Sequence, residues 1–237
     1  MINIHLVKKG GLSLRKLEKK LRRGWFNDRD ESIILFPENT LNPRFKRSDF
    51  EEYLSQLNLD ENTATFFSVF VREQDPDPNV SSIRLFFQGN LDQYSFKNNG
   101  YLLHGGLPFE NYVKRISTEF DNSNSGTGMG VEFIDDKFDF SQKKITFPKI
   151  TLEGRIIEFR LCRDIECGST NNPDIVLCSA YGLRNYEEAI KRSLEEKTAI
   201  IHDITQANPI VYHAGDFYQS RYAIRKAKEL GINLLIK

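Results

Sequence analysis

Ile156-Ile157-Glu158-Phe159-Arg160-Leu161-Cys162-Arg163-Asp164-Ile165 is the stretch on which the reading of this 237-residue chain turns. Its β-branched and aromatic residues predict a short buried strand, and Cys162 stands at the carboxyl end of it. A second apolar run, Ile33-Ile34-Leu35-Phe36, ends in Pro37-Glu38. An α/β sheet builds its sites at the carboxyl ends of its strands, so a thiol and a carboxylate are both delivered there. Such a pair can act as nucleophile and general base. A thiol has a reference pKa of ~8.5 and is mostly protonated near neutrality, so it needs a base or a nearby cation. Lys114, in Tyr112-Val113-Lys114-Arg115, supplies that cation between the other two in chain order.

Around these runs, strands and helices alternate. Residues 2–7 predict a strand, and Ser13 caps a helix with Leu14, Leu17 and Leu21 on one face and Gly24 beyond it. Ser48-Asp49-Phe50-Glu51 reads as a capping box for a helix turning Phe50, Tyr53, Leu54 and Leu57 inward. Residues 63–72 and 82–88 are β-rich and flank the turn Asp75-Pro76-Asp77-Pro78. Residues 121–130 have loop composition, without a completed phosphate-binding glycine pattern. Downstream, residues 174–179, 198–201, 210–212 and 232–236 predict strands. Asn185 with Glu188 caps one helix and Asp216 another, ending at Gly231. The expectation is one α/β layered domain over residues 1–237.

Composition narrows the function classes. Thirty-three basic residues balance 33 acidic ones, which argues against a nucleic-acid partner. No apolar run approaches the ~18 residues of a membrane span, so no membrane partner is expected. The opening Met1-Ile2-Asn3-Ile4-His5-Leu6-Val7 is too short for a secretory core, and the expected location is cytoplasmic. Cys162, Cys167 and Cys178 are an odd number in one stretch, unlike a disulfide framework. With no Cys-x-x-Cys and no neighbouring His pair, neither a metal nor a cofactor is expected.

The local contexts of the three candidate residues resemble motifs of the carbon–nitrogen hydrolase (nitrilase) superfamily. Ile34-Leu35-Phe36-Pro37-Glu38 is similar to the segment carrying that family's general base, and Tyr112-Val113-Lys114 resembles its Tyr-x-Lys segment. Phe159-Arg160-Leu161-Cys162-Arg163-Asp164 resembles its nucleophile motif, and residues 173–180, ending in Ser179-Ala180, resemble the strand that follows. Glu38 lies 76 positions before Lys114, and Lys114 lies 48 before Cys162. The resemblance implies a four-layer α-β-β-α sandwich. It also implies hydrolysis of an amide, nitrile or carbamoyl carbon–nitrogen bond in a small molecule, through a cysteine thioester. Glu38 would be the base, Lys114 the oxyanion support, and the Arg163 backbone N–H a second donor. Glu119 is the nearest match to the family's second glutamate, and Lys97 competes with Lys114.

The chain also departs from that pattern. Arg163 replaces the usual aromatic after the nucleophile, and Cys167-Gly168-Ser169 replaces a Phe-Pro-Glu continuation. Residues 206–237 match no segment of the family pattern. A catalytically silent nitrilase-like binding or scaffold protein is therefore the alternative, and a homo-oligomer is compatible with either reading. A Cys162-His213-Asp216 hydrolase is the third arrangement open to the sequence. It is disfavoured because Asp216 reads as a helix cap.

Overall fold

Several strands of this chain are apolar at nearly every position, and such strands must be covered on both faces. The computed structural model describes residues 1–22, 32–38, 40–57, 63–74, 83–84, 93–104, 107–113, 116–117, 132–133, 140–142, 144–183 and 186–237. The helices are α1 (Leu14–Arg22), α2 (Arg47–Ser55), α3 (Glu187–Leu194) and α4 (Arg221–Glu229). The strands as far as the nucleophile motif are β1 (Ile2–Leu6), β2 (Ser32–Leu35), β3 (Leu41–Lys46), β4 (Thr63–Gln74), β5 (Ile83–Arg84), β6 (Gln93–His104), β7 (Glu110–Val113), β8 (Ile116–Ser117), β9 (Glu132–Phe133), β10 (Lys144–Ile145), β11 (Lys149–Leu152) and β12 (Arg155–Leu161). After it come β13 (Gly168–Ser169), β14 (Ile175–Ala180), β15 (Thr198–Asp203), β16 (Ile210–His213), β17 (Asp216–Tyr218) and β18 (Ile232–Ile236).

Two large sheets result. The first runs β18-β1-β2-β4-β6-β5, with β3 also on β4 and β7 also on β6. Its first four strands are parallel, and β6 returns antiparallel to β4. The second runs β11-β12-β14-β15-β16-β17, parallel across β12, β14 and β15 and antiparallel elsewhere.

Alternation of side chains along each strand then fixes the layers. Ile2, Ile4, Leu6, Ile33, Leu35 and Phe66 of the first sheet meet Ile157, Phe159, Leu161, Ile175, Leu177 and Ile200 of the second in one buried cluster. The rings of Phe66 and Phe159 lie 5.1 Å apart across it. Each such side chain is worth about 1.5–3 kcal/mol when fully buried, so this central layer holds the two sheets face to face. On the outer face of the first sheet, Ile34, Phe36, Phe67 and Val69 pack with Leu17 of α1 and with Phe50 and Leu54 of α2. On the outer face of the second, Val176, Cys178, Ala199 and Ile201 pack with Ile190 and Leu194 of α3. The architecture is the four-layer α-β-β-α sandwich expected from the sequence. Among the described residues no helix is long and apolar enough to cross a membrane.

Local expectations fare unevenly. The Ser13 carbonyl accepts from the Lys16 and Leu17 amides, so α1 starts where the sequence places it. The capping box at Ser48 does not open α2. That helix follows β3 directly from Arg47, and the Ser48 hydroxyl donates to the Asp49 carboxylate at 3.0 Å. Asp216 does not cap a helix either. His213 and Asp216 pair across a two-residue turn whose Ala214 and Gly215 have φ of 47° and 93°, and α4 begins only at Arg221. Residues 206–237 thus supply a hairpin to one sheet and, through β18, the outer neighbour of β1 in the other. Gly24, the 75–78 turn, the 121–130 loop and Asn185 lie outside the described residues.

Candidate active site

The parallel strands of both sheets end at one pole of the sandwich, and two hydrogen bonds join the sheets there. The Ser179 hydroxyl at the end of β14 donates to the Phe36 carbonyl just past β2, at 2.6 Å. Nε2 of His202, near the end of β15, donates to the Val7 carbonyl just past β1, at 2.7 Å. A carbonyl can only accept, which fixes the proton on Nε2.

Glu38 and Cys162 leave this pole from neighbouring strand ends. Phe36 continues the β2–β4 ladder by one bond to Phe66, and the Thr40 hydroxyl closes the following turn on the Pro37 carbonyl at 2.6 Å. Glu38 sits at the tip of that turn with only 1% of its surface exposed. On the other sheet, Ser179 is the ladder partner of Leu161, the residue immediately before Cys162. Anchoring Phe36 to Ser179 therefore sets the Glu38 turn beside the Cys162 turn.

Cys162 opens a short 3-10 helix, Cys162–Glu166, and adopts φ of +45°. A residue with a Cβ pays ~1–2 kcal/mol in that left-handed region, and such strain persists only where the surroundings impose it. The chain turns sharply out of β12 at the nucleophile candidate, and the first turn of a short helix leaves its N–H groups without intrahelical partners. Arg163 is the second residue of that turn. Its side chain folds back onto Glu166, with Nη2 donating to Oε2 at 2.8 Å and Nε against Oε1.

Cys178 reports how closely these groups gather. Burial pushes its thiol well above the ordinary value. The charges of Cys162, Glu38 and Asp164 push it further up, while Arg160 opposes them. Its sulfur lies 3.4 Å from the Cys162 carbonyl oxygen. Cys162, Asp164 and Glu166 are all buried, and none of the three cysteines is in a disulfide. Two cavities, of ≈ 250 Å³ beside His104 and Lys149 and ≈ 310 Å³ beside Arg155 and Asp174, do not include Cys162.

The remaining candidates are placed less fully. Lys114 and Glu119 lie outside the described residues, and Lys97 is described only as a backbone position in β6, opposite Val71. His213 is level with Ile157 through the β12–β14–β15–β16 ladder, five strand residues before Cys162. At ~3.3 Å per residue that is about 16 Å, so the register parts the Cys162-His213-Asp216 set. His213 instead meets the Thr198 hydroxyl at 3.0 Å. Among the described residues no cluster of three or more His, Cys, Asp or Glu could hold a metal ion.

Sequence reasoning passed over the groups that hold this pole together. Asp203, 2% exposed, accepts from the amides of Gly182, Leu183 and Thr205 and from the Thr205 hydroxyl. Glu158 and Arg160 form a buried pair beneath the Cys162 turn. Two opposite charges at i and i+2 within the run from Ile156 to Leu161, otherwise apolar, were the available signal.

No family model matches the sequence, and no curated protein matches it. Solved structures do. An amidase from Nesterenkonia sp. shares 14% identity at a TM-score of 0.49, over 93% of this chain and 86% of its own. A mutant of the Nesterenkonia AN1 amidase, described as of the nitrilase superfamily, shares 13% at 0.48, over 94% and 87%. The glutamine-dependent NAD+ synthetase from Acinetobacter baumannii, in complex with adenosine diphosphate, shares 12% at 0.50, over 86% of this chain and 39% of that one. At 12% identity the likeness to the synthetase is one of fold.

Proposed function

We propose that this chain, which has the carbon–nitrogen hydrolase fold, hydrolyses a non-peptide carbon–nitrogen bond in a small amide, nitrile or carbamoyl substrate. The observation that carries the reading is the meeting of two buried strand-end turns. One presents Glu38, the other presents Cys162 in a left-handed backbone, and Ser179 ties them together.

For an amide, Glu38 takes the proton of the Cys162 thiol as sulfur attacks the carbonyl carbon. Charge moves to the carbonyl oxygen, where the Arg163 N–H and the Lys114 ammonium stabilise it. As the tetrahedral species collapses, the carbon–nitrogen bond breaks and Glu38 passes its proton to the departing amine. A water molecule then gives a proton to Glu38 as its oxygen attacks the thioester carbon; the carbon–sulfur bond breaks, Glu38 returns the proton to the leaving sulfur, and the acid departs. Glu119, the nearest match to the family's second glutamate, is the supporting residue that the resemblance implies.

A second reading, a silent binding or scaffold protein on the same fold, draws on the 3% exposure of Cys162. Iodoacetamide labelling followed by peptide mass analysis separates the two. Fast stoichiometric modification at Cys162 near neutral pH, together with amide turnover that Cys162→Ala abolishes without loss of folding, is the expected result. An inert Cys162, or a Cys162→Ala variant as active as its parent, would sink the enzyme reading.

A further inference from the structure

Arg160 is 1% exposed and Glu158 is fully buried, on the face of β12 turned away from the central core. The guanidinium Nε and Nη2 both lie 2.7 Å from Glu158 Oε1. Its Nη1 is directed elsewhere, donating to the Ile165 carbonyl at 3.0 Å and to the Cys167 carbonyl at 2.7 Å. The cation also stacks over the Phe147 ring, 4.7 Å from its centroid. Glu158 is fixed in turn: its Oε2 accepts from the Ser169 hydroxyl and from Asn171 Nδ2, the latter at 2.8 Å.

Cys162 lies inside the loop these bonds close. Arg160 precedes it by two residues, and the carbonyls that Arg160 grips lie three and five residues after it. Within the loop the Cys167 amide donates to Asp164 at 3.1 Å, and the Ser193 hydroxyl of α3 adds a bond to the Ile165 carbonyl at 2.9 Å. A left-handed cysteine relaxes unless its surroundings over-determine it. A rigid planar fork with several donors can hold a carboxylate and two carbonyls at once, which a lysine ammonium on a flexible stem cannot reproduce.

We propose that the Glu158–Arg160 pair is the positioning element of the nucleophile. It holds the turn from Cys162 to Cys167 from beneath, and so sets the direction and reactivity of the Cys162 thiol without touching substrate. The proposal rests on Cys162 being the nucleophile.

Two variants test it. Arg160→Lys keeps the charge and loses the fork, and Ser169→Ala removes one partner of Glu158 while leaving both charges in place. Two measurements are made on each: backbone hydrogen exchange of residues 162–167, and the pH profile of Cys162 alkylation by iodoacetamide, in which the S–C bond forms and iodide leaves. Glu38 and Asp164, whose charges act with that of Cys162 on the neighbouring Cys178 thiol, are kept in every variant and are common to all profiles. The expected result is exchange about tenfold or more faster in residues 162–167, with β14 unchanged. Alkylation of the folded protein should slow about tenfold or shift its pH profile, which a merely structural role would not cause.

If Arg160→Lys fails to fold, Ser169→Ala decides. A parent that alkylates at Cys162 and variants that match it in exchange and profile would overturn the positioning role alone. A parent whose Cys162 is inert, with exchange responding as stated, would overturn the nucleophile reading and the positioning role together.

Discussion

Replacing Asp203 should loosen the pole that carries the candidate site by an amount its hydrogen bonds allow one to work out. Its Oδ1 accepts from the Gly182 amide at 3.0 Å, the Thr205 amide at 2.9 Å and the Thr205 hydroxyl at 2.8 Å, and its Oδ2 from the Leu183 amide at 2.8 Å. In Asp203→Ala the buried Leu183 amide loses its partner, at about 1–3 kcal/mol, while the outer donors turn to water and forfeit less. The sum is about 3 kcal/mol. Asp203→Asn keeps one acceptor oxygen, but its amide nitrogen then confronts the Leu183 N–H, donor against donor, for about 2 kcal/mol. Urea unfolding followed by circular dichroism reads both losses as midpoint shifts, at a slope of ~1–3 kcal/mol per molar or somewhat more for a chain of this size. The ordering Ala worse than Asn worse than parent is expected. Both variants unfolding within about 0.5 kcal/mol of the parent would refute the idea that this carboxylate organises the exits of β14 and β15.

Glu38→Gln keeps the shape of the turn and loses the base, so thiol acylation should slow by about a hundredfold or more, read by stopped-flow with a chromogenic ester or amide. Unchanged acylation would remove Glu38 from the mechanism. Lys114→Ala should cut amide turnover by about a hundredfold while Lys97→Ala leaves most of it, and the reverse pattern would transfer the oxyanion role to Lys97. His202 predicts an acid limb in stability. Burial holds its pKa below the ordinary value, against the smaller upward pulls of its Val7 bond and Asp203. Below about pH 6.5 the unfolded chain takes a proton that the folded one refuses, so stability should fall as pH drops through 6.5 towards the folded pKa. His202→Gln should flatten that limb in urea titrations between about pH 6.5 and 5, and an identical slope in the variant would count against the assignment.

The Glu38 and Cys162 segments were legible because each is a mostly apolar run with a reactive side chain at its carboxyl end, and both strands form where the runs predict. The fully buried β14 was legible for the same reason. The C-terminal hairpin was not. Its turn places Ala214 at φ of 47°, a conformation usually marked by Asn or Gly, so the two-residue turn carried half its normal signature and Asp216 looked like a helix cap. The Ser48 capping box failed because β3 runs straight into α2, a tertiary outcome that local propensity does not encode. The anchors Ser179, Asp203 and Arg160 act on partners brought near by the fold. Ser179 reaches a carbonyl 143 positions away, which no window of sequence contains.

The pairing of β1 with β18 bears on how the protein is made. Ile2 and Ile232 are register partners, and the amide of Lys237 bonds the Leu6 carbonyl. Translation at ~5–20 residues per second would leave the outer edge of β1 bare for roughly ten to fifty seconds. During that interval Ile2, Ile4 and Leu6 border a row of unpaired amides, the kind of edge on which nascent chains stick to one another. β1 is thus sheltered by a strand made 230 positions later (232 − 2), and chaperone demand in the cell should track that delay more than the stability of the finished fold.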